Sequence, residues 1–158
     1  MSETLAIANW EAQWILGLLR VEDLPKIAQQ ALAAGVNSST LLELAICETN
    51  ESEQIVKKFQ QYLAENERGT MSKQEALRQY AREVSVSILL EQVPAYDGAR
   101  LIWRATVNAG EKEFHELDAF IYAASEMEDR PKDRDFFVNA IRDEANRWAG
   151  AYLSRPHH

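Results

Sequence analysis

The stretch "FHELDAFIYAASEMEDRP", residues 114–131, holds the one internal histidine of the chain, His115, directly before Glu116. A histidine and glutamate at the start of a helix open the zinc-protease signature His-Glu-x-x-His, in which two imidazoles one turn apart hold the metal. Position 119 is Ala119, so the second imidazole is missing. The di-iron pattern Glu-x-x-His fails as well, because Lys112 stands three residues before His115. Glu111, His115 and Asp118 can share one side of a turn. Three groups with a single imidazole are a thin metal set, and acids near a helix N-terminus already have an electrostatic role there. Cys47 lies in the apolar run "TLLELAIC", where a thiol packs rather than ionises. There is no glycine-rich phosphate loop and no Gly-x-Ser-x-Gly elbow. With 25 acids in the chain, a carboxylate pair suited to glycoside hydrolysis carries no signal by itself. Arg78 with Arg82, and Arg100 with Arg104, stand one turn apart and could grip a phosphate or carboxylate; surface ion pairs are the simpler use. The expectation is a protein that is not an enzyme, with no cofactor and no metal.

The elements that carry these residues are helical. Apolar residues recur at spacings of 3 and 4 almost throughout, so the expected fold is all-α: about eight helices with short loops in one orthogonal or irregular bundle. Residues 1–153 are expected to form a single domain, with 154–158 as a tail and residues 66–72 as a conceivable boundary. Ile7, Trp10, Trp14 and Leu18 mark the inner face of the first helix. "EDLPKIAQQALAAG" reads as a helix capped by Asp23, with Pro25 in its first turn and Gly35 at its end. "TLLELAIC" is apolar nearly all round and should be central and buried, with Thr40 and Glu43 as a capping box. The same signal at Asn50 and Glu53 opens "EQIVKKFQQYLAEN", which Gly69 closes. Ser72 and Glu75 open "SKQEALRQYAREVSVSILLEQV", a helix despite the β-branched Val84 and Val86. After Pro94, Asp97 caps a helix that Gly110 ends. A helix over 111–129 follows, ending near Met127, and Pro131 starts the last one.

The 158 residues carry a net charge of −8. Residues 1–70 hold 5 basic and 10 acidic side chains (−5), and residues 71–158 hold 12 and 15 (−3). Nucleic-acid backbones and anionic membrane surfaces call for a surplus of Lys and Arg, so both are disfavoured. The acidic N-terminal stretch is neither a signal peptide nor a span. A single cysteine permits no intrachain disulfide, and a reducing, cytoplasmic setting is the simpler expectation. An acidic surface suits a basic protein partner, because opposite fields speed encounter.

Placed at 100° per residue, 111–129 separates into two faces. Phe114, Leu117, Phe120, Ile121 and Ala124 make a core stripe. His115, Asp118, Tyr122, Ser125, Glu126 and Asp129 make a polar one, with a large amphipathic ring among acids. Glu128 and Asp129 lead into the Pro131 helix, where Arg130, Lys132 and Arg134 can neutralise them. The candidate partner-binding residues are His115, Asp118, Tyr122, Glu126 and Asp129. The stretches "LPKIAQQALAAGVNSSTLLELA" and "FHELDAFIYAASEMEDRPKDRDFFVNAIRDEA" resemble small acidic all-helical bacterial proteins, some of which accompany polymorphic toxins as immunity proteins. That resemblance implies a protein that binds and inhibits a cognate toxin, with a basic toxin domain as the expected partner. Two alternatives remain open. One is a helical metal-binding protein or enzyme using His115 with Glu111, Asp118 or Glu126; the other is a small regulatory adaptor or homo-oligomer.

Overall fold

The computed structural model describes the backbone of residues 3–153 and the side chains of residues 6–150. The 154–158 tail with its terminal histidines, and the side chain of Tyr152, lie outside the described residues. Among the described residues every regular element is helical, so the protein is all-α. The eight helices are α1 (Glu3–Ile15), α2 (Leu24–Ala33), α3 (Ser39–Ala45), α4 (Ser52–Glu65), α5 (Lys73–Leu89), α6 (Ala95–Ala109), α7 (Asp118–Asp129) and α8 (Arg134–Leu153). Single 3-10 turns, Val21–Asp23 and Pro131–Asp133, lead into α2 and α8. No helix among the described residues is long and apolar enough to cross a membrane. The chain divides into two compact units, Met1–Ser72 and Lys73–His158. The division falls at the end of the 66–72 stretch, while the expectation from sequence is a single domain over 1–153.

In the first unit, α2 packs on α3 and α3 on α4. Leu24, Leu41, Leu44, Ile55, Phe59 and Tyr62 form the centre of its core, with Trp10 and Trp14 of α1 half-buried against it. Leu18 does not join that face. Gly17, at φ +72, turns the chain after α1 and leaves Leu18 exposed. α3 is not buried all round either. It is two turns long and hides Leu41, Leu44 and Ala45, while Leu42 and Ile46 face solvent.

Several helix ends use other groups than their sequence signals suggest. The N-cap of α3 is Ser38, whose hydroxyl accepts from the Leu41 N–H (3.1 Å). Thr40, itself buried, instead donates to Glu65 Oε1 of α4 at 2.6 Å, and Glu43 accepts from Lys58 at 2.6 Å. Asp23 has helical φ/ψ and cannot cap; its carboxylate accepts from Arg20 Nε at 3.1 Å. Before α4 the cap position belongs to Glu51 rather than Asn50. α4 closes at Glu67, which takes the left-handed conformation (φ 59) while the Arg68 N–H returns to the Leu63 carbonyl at 2.8 Å. Gly69 is thereby freed for another partner. Its N–H donates to Glu11 Oε2 of α1 at 2.8 Å, and the Met71 N–H donates to the same oxygen at 3.2 Å. Glu11 is 1% exposed, so its carboxylate is withdrawn from water and tied to the backbone that follows α4.

In the second unit, α5 packs most extensively on α8 and also on α6, α6 on α7, and α7 on α8. Leu77, Ala81, Val84 and Ile88 of α5 are buried, as their helical spacing requires. α6 begins after Pro94, which occupies the cap position, so Asp97 sits in the first turn instead of capping it. Gly110, at φ 68, ends it. α5 and α6 approach closely at Gly98, where a Cβ atom would stand 2.6 Å from both Cγ1 and Cδ1 of Ile88. Ile88 is 1% exposed and has little room to move. Gly98→Ala therefore sets a small gain in helix propensity against overpacking. A net destabilisation of about 1–2 kcal/mol is expected in urea titration. Unchanged or raised stability would show that the α5–α6 contact is loose.

Candidate functional site

α7 and the segment before it carry the candidate surface. α7 begins at Asp118, seven residues later than the periodicity suggests. After the reversal at Gly110, residues 111–117 run as successive turns, with Phe114 N–H to Glu111 O at 3.1 Å and Asp118 N–H to His115 O at 3.2 Å. Phe114 and Leu117 are buried from these turns, so the apolar pattern persists without a helix. At the other end α7 runs past Met127 to Asp129. Glu128 does not aim at the core. Its carboxylate lies at the edge of α6, where it accepts from the Tyr96 hydroxyl (2.8 Å) and from Arg100 (3.2 Å).

The five candidate residues are thus only partly one stripe. His115 stands in the turn before α7, exposed, with Nδ1 3.1 Å from Asp118 Oδ2. Asp118 is the first residue of α7, Tyr122 and Glu126 follow at one-turn intervals, and Asp129 is the last residue. Glu126 accepts from Arg130 at 3.1 Å, which ties it down at the helix end. Tyr122 is 60% exposed, and its ring meets Phe137 of α8 edge-on at 6.4 Å.

Sequence reasoning missed Phe136. Adjacent residues on a helix point about 100° apart, so Phe136 and Phe137 present to different sides of α8. Phe137 is buried and Phe136 is 69% exposed, 5.1 Å from the Phe137 ring in edge-on contact. Tyr122 and Phe136 therefore flank one buried ring from two helices, in a surface whose α7 side carries Asp118, Glu126 and Asp129. The "DFF" of α8 held the signal for this.

The chain matches no protein-family model, no curated protein and no solved structure.

The chemistry elsewhere is of ion pairs. Among the described residues, no group of three or more His, Cys, Asp or Glu side chains gathers to hold a metal. Glu111, His115, Asp118 and Glu126 do not form such a set. Cys47 is half-buried at the edge of the first core, its thiol within 3.3 Å of the Glu43 carbonyl, and burial pushes its pKa up. Arg100 donates to the Tyr96 hydroxyl and to Glu128. Arg82 lies over the Trp148 ring at 5.9 Å. Arg78 grips Glu116 in a fork, Nε at 3.1 Å from both oxygens and Nη2 at 2.7 Å from Oε2, and it covers the Phe114 ring at 5.4 Å. This pair ties α5 to the turns that precede α7.

The hydrogen bonds from Arg78 hold the Glu116 carboxyl below its usual range. A carboxyl depressed in the folded state stabilises the fold fully above its ordinary pKa, about 4.3. That contribution fades as pH falls below this value and through the lower folded one. Glu116→Gln should cost no more than about 1 kcal/mol near pH 7, as the pair is largely solvent-screened. The difference from the parent chain should shrink by pH 3 in denaturant titrations at the two pH values. A pH-independent difference would assign the contact to packing of Arg78 on Phe114.

Proposed function

We propose that this chain is a protein-binding module of the immunity type, which inhibits a cognate bacterial toxin by covering its surface. The observation that carries the reading is the exposed aromatic pair, Tyr122 and Phe136, set on the buried Phe137 ring beside a row of acids. Large rings of low conformational entropy dominate binding energy where they can be fully desolvated, and Tyr is prominent among them. The acids on α7 favour a basic partner face and would raise the rate of encounter more than the final affinity. Inhibition would follow from blocked access and needs no chemistry of this chain. In this reading the protein works in the cytoplasm, where a producing cell must protect itself.

The test is capture of a partner from cells that express the chain, followed by protection of cells that express that partner. Tyr122→Ala and Phe136→Ala should each weaken the complex by about 30-fold, or about 2 kcal/mol, while thermal stability changes little. Protection should fall in step. A chain that captures no toxin and protects no cell, or variants that bind as well as the parent, would defeat the proposal.

A further inference from the structure

The first unit contains a cleft of about 350 Å³ that the aromatic surface does not use. Its walls come from Trp14 and Ile15 of α1 and Leu63 and Ala64 of α4, with polar groups at Glu11, Gln60, Arg68 and Thr70. A cleft of this size, mostly apolar and with few polar groups, suits a small organic ligand. The Trp14 wall is braced by Phe59, whose ring it meets edge-on at 5.6 Å.

The polar end has an unusual arrangement. Glu11 is buried, and its Oε2 is occupied by the Gly69 and Met71 N–H groups. Its Oε1 faces Arg68 Nη1 at 3.8 Å, beyond hydrogen-bond reach. Arg68 keeps 29% of its side chain exposed. A buried carboxylate oxygen and a guanidinium thus form a long ion pair, without a hydrogen bond, at one end of an apolar cleft. A ligand that donates to the first and accepts from the second would add two short charged hydrogen bonds to this long ion pair, and bonds of this kind are the strong ones. An ammonium and a carboxylate on one carbon match that spacing.

We propose that this cleft binds a free α-amino acid with an apolar side chain. The ammonium donates to Glu11 Oε1, the carboxylate accepts from Arg68, and the side chain lies against Trp14, Ile15 and Leu63. The ligand would also brace the Gly69–Met71 backbone that Glu11 holds. This site is independent of the α7–α8 surface and of any toxin.

Calorimetry on the full chain tests it, using leucine, methionine and phenylalanine, with leucinamide and N-acetyl-leucine as blocked forms. Binding of a free amino acid is expected in about the micromolar to millimolar range. Removing either charge from the ligand should weaken it at least tenfold. Arg68→Gln should do the same. Ala64→Phe, which fills the cleft from an exposed position and leaves Glu11 with its backbone partners, should abolish binding with the helical circular dichroism retained. No saturation by any free amino acid at about 10 mM, equal binding of the blocked forms, or undiminished binding by both folded variants would each overturn the proposal.

Discussion

A short helix can hide one stripe of side chains, and whatever apolar groups lie on its other side face water unless a neighbour covers them. In this chain that constraint decides what is exposed. α3 hides Leu41 and Leu44 and shows Leu42 and Ile46. α8 hides Phe137 and shows Phe136. Tyr122 sits on the outer side of α7, whose inner side is filled by Phe120, Ala123, Ala124 and Met127. The candidate surface is a direct product of helix geometry applied to a sequence richer in large apolar residues than one stripe per helix can hold.

Two buried polar groups, Glu11 and Thr40, find partners across the first unit. Glu11 is withdrawn from water and accepts two backbone N–H groups that no helix supplies with acceptors. Thr40 reaches across to Glu65 for the same reason. These contacts join segments far apart in sequence, and Thr40 is drawn away from the local cap that its position suggests. Residues able to cap a helix are also able to bond elsewhere, as Thr40 does.

Much of the fold was legible without coordinates. Periodicity located all eight helices though not all of their bounds, and kept residues 73–89 helical across Val84 and Val86, while the glycine signals put Gly35 and Gly110 at chain reversals. It failed for 111–117, where Phe114 and Leu117 are three apart and buried, as on a helix, yet come from turns. A spacing of three is shared by both forms. Of the candidate surface, Asp118, Tyr122 and Glu126 share a helix as expected. His115 stands off it, and Phe136 was hidden by its buried neighbour.

The sequence by itself determined the helical class, the acidic balance and the absence of a recognisable catalytic or phosphate-binding motif, because these rest on local spacing and composition. The tertiary structure alone decided which of two adjacent phenylalanines is exposed. It also decided that Glu11 is buried beside Arg68 and that Arg78 holds Glu116 rather than a free anion. Each of those outcomes depends on which side of a helix a distant segment covers, and no local pattern encodes that.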